Sequence, residues 1–207
     1  MLLYRFAKML LAILLKIFYR IEVKGGEYLP PKGPVICVAN HASLVDPIVM
    51  GCSLKRSVNF LAKEELFRIP VLNWILKTLG VIPVKRGAGD RGALKSALKV
   101  LEDKKVLGLF PEGTRYRDNT LHPLRPGAAM LALQTGACIL PMLISGTYRM
   151  RFLSFPKIKV AIGPPFTLSA GGERKERIRA GTQEIYAHLA ALSRQGEGMP
   201  AARQGSV

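Results

Sequence analysis

The run Asn40-His41-Ala42-Ser43-Leu44-Val45-Asp46-Pro47 holds the first residues that could do chemistry. Asp46 stands five positions after His41, so its carboxylate can reach the imidazole across a loop and into a helix start. A carboxylate against one ring nitrogen orients the imidazole, fixes its tautomer and raises its basicity. That is what a general base needs to take a proton from a hydroxyl. The same spacing fits a helix start, with Asp46 as the N-cap and Pro47 at the first helical position, beside a structural histidine. Spacing alone leaves both readings open.

A second group is Phe110-Pro111-Glu112-Gly113-Thr114-Arg115. Pro111 stops a strand, Gly113 lets the backbone approach a ligand closely, and Arg115 offers a planar fork of donors suited to phosphate. Taken alone it also fits a loop with one solvated arginine. A third group, Gly80-Val81-Ile82-Pro83-Val84-Lys85-Arg86-Gly87, reads as a strand ending in two cations or as a solvated basic edge.

Positioning these groups requires a framework, and the hydrophobic pattern supplies one. Val35 to Ala39, Val58 to Ala62, Val81 to Val84, Val106 to Phe110, Cys138 to Ile144 and Ile158 to Ile162 are short, mostly apolar runs, several of them bounded by Gly or Pro, and read as strands. Between them Pro47 to Ser53, Pro70 to Leu79, Arg91 to Leu101 and Ala128 to Thr135 read as helices, with a last helix from about Glu173 to Leu192. The alternation predicts a single α/β domain with a central, mostly parallel mixed sheet flanked by helices. His41 and the 110–115 loop then fall at the C-terminal ends of strands, where such sheets carry their sites.

The chain has 207 residues, 31 Lys plus Arg against 14 Asp plus Glu, and a formal charge of +17. That charge points to a polyanion, an anionic membrane or a phosphorylated substrate. Aromatic content is only 7%, no stacking or zinc-finger spacing is present, and mean hydropathy is +0.19, which favours a membrane surface over nucleic acid. Residues 1–20 support that choice. Arg5, Lys8, Lys16 and Arg20 fall on one helical face and Leu3, Phe6, Leu10, Ile13, Leu14 and Ile17 on the other, with no acid. The pattern predicts an amphipathic helix in the membrane interface, though it also fits a helix packed on its own domain. Its apolar run, Met9 to Leu15, falls short of the roughly 20 residues a spanning helix needs. Cys37, Cys52 and Cys138 lack the spacing of a disulfide framework or zinc site, and His41, His122 and His188 are scattered without metal-ligand spacing. Residues 195–207 read as a disordered tail.

In combination the groups are more specific. Asn-His-x4-Asp, then Ile-Pro-Val-Lys-Arg, then Phe-Pro-Glu-Gly-Thr-Arg, then Leu140-Pro141-Met142 resemble, in order, the four blocks of the glycerolipid acyltransferase family. The resemblance implies an acyltransferase domain over residues 21–194. It implies acyl transfer from acyl-CoA or acyl carrier protein, as co-substrate, to the sn-2 hydroxyl of lysophosphatidic acid, giving phosphatidic acid at the cytoplasmic face of a cell membrane. His41 matches the family's base and Asp46 its orienting acid. Glu112, Gly113 and Arg115 match the acceptor-binding block, and Arg86 the basic end of the second block. Lys63 resembles a family lysine near the active site, and also fits a solvent-facing lysine beside Glu64 and Glu65. Only about one helix fits ahead of Ile21, where some bacterial relatives carry two membrane-associated helices.

No Ser or Cys stands in a nucleophile elbow, which favours direct transfer over an acyl-enzyme. Neither a metal nor a cofactor is implied, and nucleic acid is the weakest partner. Two alternatives remain at this level: transfer to glycerol-3-phosphate or another lysophospholipid, and a membrane-surface protein that catalyses nothing.

Overall fold

The computed structural model describes residues 19–70, 73, 76–77, 80–84, 91–118, 120–149, 156–169 and 171–195. Residues 1–18 of the expected interfacial helix, Arg86 and most of the expected tail lie outside them, as does the Lys63 side chain. The helix expected over Pro70 to Leu79 is described at Pro70, Asn73, Leu76 and Lys77, all helical.

Seven strands form one sheet: β1 (Glu22–Lys24), β2 (Val35–Ala39), β3 (Val58–Lys63), β4 (Val81–Val84), β5 (Val106–Leu109), β6 (Cys138–Ser145) and β7 (Lys159–Ile162). Among the described residues four helices have both ends defined: α1 (Asp46–Ser53), α2 (Arg91–Glu102), α3 (Gly127–Thr135) and α4 (Arg174–Gln195). The strand order is β1-β7-β6-β2-β5-β3-β4. β6, β2, β5, β3 and β4 are mutually parallel, β7 runs antiparallel to β6, and β1 follows β7 in parallel. The sheet is therefore mixed and mostly parallel, as the alternation predicts. β1 gives no signal in sequence because it is short, wholly exposed and carries charges at both ends. Those charges suit an edge strand, whose open hydrogen-bonding groups otherwise invite another chain.

All five residues of β2 are buried, as expected of a central strand covered on both faces. Side chains alternate along it. Val35, Cys37 and Ala39 join one core with Val49 and Met50 of α1. Ile36 and Val38 join the other, with Leu101 of α2, Ala129 and Ala132 of α3, and Ile185 and Leu189 of α4. The chain leaving β2 thus enters a helix on one face, and the chain leaving the adjacent β5 enters a helix on the opposite face. Two neighbouring strands whose loops depart to opposite sides create a crevice at their C-terminal ends, the usual ligand position in such sheets.

Candidate active site

Parallel register brings the two loops together. Val38 of β2 pairs with Leu109 of β5, so His41 and Glu112 each lie three residues past a matched pair. The His41 side chain remains 18% exposed, whereas that of Asp46 is 1% exposed. His41 Nδ1 lies 2.8 Å from Asp46 Oδ2. Because a carboxylate only accepts, Nδ1 carries a proton, and the neutral tautomer consistent with this bond has its lone pair on Nε2. The same Oδ2 also accepts the backbone N–H groups of Ala42 and Ser43, both at 2.7 Å. This corrects one expectation: Val45, not Asp46, is the N-cap, and Asp46 makes no side-chain cap bond. Its carboxylate turns back into the loop that carries the histidine, where three donors converge.

Two further contacts fix the ring and its loop. The Phe110 ring stacks on it, with centroids 4.2 Å apart and planes 20° apart. Asn40, only 4% exposed, grips β6 on the other side. Its side-chain amide donates to the Ile144 carbonyl at 2.9 Å and accepts the Ile144 N–H at 2.8 Å, prolonging the β2–β6 ladder past Ala39. The loop is thereby tied to the strand neighbouring β2 on each side.

Glu112 is buried, and both carboxylate oxygens are committed. Oε2 accepts the backbone N–H of His41 at 2.8 Å, and Oε1 that of His122 at 3.0 Å. Burial pushes its carboxyl above the usual glutamate range, although the amide hydrogen bonds from His122 and His41 oppose the shift. The Tyr116 N–H closes the assembly by donating to the His41 carbonyl at 2.8 Å. Glu112 is thus a joint between loops, whereas its block in sequence suggests contact with a substrate.

Gly113 has a left-handed backbone, φ +74°, where a side chain is strained. The glycine reads in sequence as room for a ligand, but the space a β-carbon would take is filled. That carbon would sit 2.3 Å from Nε of Arg125. Arg115 stands exposed two residues further along the same loop. Lys63 is the last residue of β3, at the same edge of the sheet.

Beside the loop, His122 Nε2 contacts the Asp118 carboxylate at 2.9 Å and its ring stacks on Tyr116 at 3.6 Å. Burial disfavours the Asp118 carboxylate, but the hydrogen bonds from His122 and Thr120 together outweigh it and hold its carboxyl at about 2. Asn40, Phe110, His122 and Arg125 are the members of the site that sequence spacing did not single out. Asn40 and Phe110 open the two quoted motifs but have no role assigned there, whereas His122 and Arg125 carry no local signal. Among the described residues no group of three or more His, Cys, Asp or Glu could hold a metal ion, and no helix is long and apolar enough to cross a membrane.

The site thus joins a histidine backed by a buried acid to a loop that carries an exposed arginine. The family model described as Acyltransferase matches residues 20–145. The chain is 34% identical over 144 residues to the chloroplastic 1-acyl-sn-glycerol-3-phosphate acyltransferase LPAT1 of Arabidopsis thaliana, covering 68% of this chain and 40% of that protein. It is 28% identical over 193 residues to the 1-acyl-sn-glycerol-3-phosphate acyltransferase of Bacillus subtilis, covering 91% of this chain and 96% of the relative. The crystal structure of the 1-acyl-sn-glycerophosphate acyltransferase PlsC from Thermotoga maritima superposes with a TM-score of 0.72 at 27% identity, over 91% of this chain and 80% of that one. The chain spans about half, 52%, of the length of the Borreliella burgdorferi relative, to which it is 36% identical over 130 residues.

Proposed function

We propose that this chain, which belongs to the acyltransferase family, moves an acyl group onto the sn-2 hydroxyl of lysophosphatidic acid and forms phosphatidic acid. The observation that carries this reading is the His41–Asp46 pair: Nδ1 is held at 2.8 Å by a buried carboxylate, and the ring keeps an exposed edge. The similar proteins named above as 1-acyl-sn-glycerol-3-phosphate acyltransferases support the acceptor.

An alcohol is a poor nucleophile at neutral pH, and a positioned base typically contributes roughly 10²–10⁴-fold. His41 Nε2 takes the hydroxyl proton as the oxygen attacks the thioester carbonyl of acyl-CoA or acyl carrier protein. The tetrahedral intermediate then expels the thiolate, which recovers that proton from the imidazolium. Asp46 keeps the ring in the one tautomer that can accept the proton, and its negative charge favours the imidazolium in between. The step balances with the acyl donor as the only co-substrate. Arg115, with Arg86 and Lys63 as further cations, binds the acceptor phosphate and holds the hydroxyl near His41, converting an encounter into proximity. Glu112 and Gly113 shape that loop.

The acceptor is an amphiphile, and the excess of Lys and Arg suits an anionic bilayer. We place the protein at the cytoplasmic face of the cell membrane as a peripheral or monotopic enzyme, with residues 1–20 in the interface. The deciding experiment is phosphatidate formation by the purified chain from lysophosphatidic acid, with acyl-CoA and acyl carrier protein donors compared. Glycerol-3-phosphate and larger lysophospholipids serve as rival acceptors. Absence of acyl transfer to any of them overturns the reading in favour of a surface-binding protein.

A further inference from the structure

Arg125 lies ten residues beyond Arg115, after the loop has turned back through Leu121 and His122. Both ends of the residue engage the 110–115 loop. Its backbone N–H donates to the Pro111 carbonyl at 2.7 Å. Its side chain crosses the bare α-carbon of Gly113: a β-carbon there would lie 2.3 Å from Nε, 2.6 Å from Cδ and 2.8 Å from Cζ. The guanidinium is therefore held against the backbone that leads to Arg115.

Its charge is not spent on a carboxylate. Arg125 is exposed, and none of the ion pairs among the described residues includes it or Arg115. The two nearby acids of the loop are committed elsewhere, Glu112 to backbone amides and Asp118 to His122. Two unpaired planar forks thus flank residues 113–115. A phosphate monoester presents three terminal oxygens and up to two negative charges, which suits two such forks better than one.

We propose that Arg125 is a specificity-determining residue that binds the acceptor phosphate together with Arg115. Gly113 then does two jobs at once: its left-handed backbone makes the turn, and its missing side chain seats Arg125 beside the anion. The proposal rests on the reading of this chain as an acyltransferase for a phosphorylated acceptor. It adds a cation from outside the block that marks the family.

The test uses the full chain in detergent, with calorimetric binding of lysophosphatidic acid and of monoacylglycerol, its phosphate-free counterpart. Arg125→Met keeps the stem over Gly113 and removes the charge. It is expected to weaken lysophosphatidate binding roughly 10–100-fold, the usual worth of a charge-assisted hydrogen bond, and to leave monoacylglycerol binding unchanged. Arg125→Lys is expected to recover part of the loss, and KM for lysophosphatidate should rise with kcat within about twofold. Equal losses on both ligands would reduce Arg125 to a packing role and overturn the proposal. Unchanged lysophosphatidate binding in Arg125→Met would overturn it as well, and so would a wild type that binds both ligands alike. Acyl transfer by the wild type, measured in the same preparation, reports separately on the proposed function.

Discussion

The carboxylate of Glu112 holds the backbone amide of His41 at 2.8 Å across 71 residues of sequence. The other oxygen of the same carboxylate holds His122. One buried acid therefore sets the height of the proposed base above the end of the sheet and ties it to the loop that carries the arginines. Disturbing Glu112 should affect the placement of His41 before it affects any bound substrate.

Glu112→Gln should accordingly lower kcat by about 10²-fold, the cost of a misplacement of about 1 Å, with KM for donor and acceptor little changed. One oxygen is retained, but the new amide donor confronts a backbone N–H, and the unmet group costs about 1–3 kcal/mol of stability. The raised carboxyl adds a pH signature. A raised acid binds its proton more tightly when folded, so its stabilising contribution is complete below the unfolded value and is lost as pH rises through the folded one. Denaturant titrations of both proteins from about pH 4 to about pH 7 should show the wild-type advantage shrinking as pH rises, since glutamine does not titrate. A difference that grows with pH would contradict the assigned cause.

His41→Ala should lose at least roughly 10²–10⁴-fold in turnover while still folding, because Asp46 Oδ2 keeps the Ala42 and Ser43 amide donors. Asp46→Asn should lose a similar factor and also destabilise the loop, since Oδ2 serves three donors. Purified His41→Ala with normal phosphatidate synthesis would remove the base assignment.

Arg115→Ala should raise KM for lysophosphatidate by roughly 10–100-fold and leave the KM of the acyl donor nearly unaffected. The measurement is a pair of saturation curves, repeated with a phosphate-free acceptor. A loss of the same size on both acceptors would exclude a phosphate contact.

Gly113→Ala combines two penalties. The left-handed backbone costs a β-carbon roughly 1–3 kcal/mol, and the same carbon displaces the Arg125 side chain. Adding Arg125→Ala should relieve the second penalty and not the first. The double variant should therefore be more stable than the sum of the single changes predicts, by thermal or urea unfolding. Strict additivity would mean that the two residues do not meet in solution.

The sequence by itself determines whatever depends on neighbours within a few residues. The apolar runs Val35–Ala39 and Val106–Leu109 announce buried strands, and Pro47 and Pro111 mark where a helix can begin and a strand must stop. The approach of Asp46 to His41 is also local, because five residues of loop bring them together whatever the rest of the chain does. Tertiary structure alone decides which oxygen meets which donor across the sheet. That Arg125 fills the face of Gly113 follows from how the long loop after β5 folds back. That β2 lies between β5 and β6 and that Asn40 bonds to Ile144 104 residues away follow from strand order and register. Those are set by the packing of two whole cores, and periodicity does not encode them. The His41 loop illustrates the boundary: the donors to Asp46 are local, at His41, Ala42 and Ser43, whereas the bond from the His41 amide to Glu112 spans 71 residues.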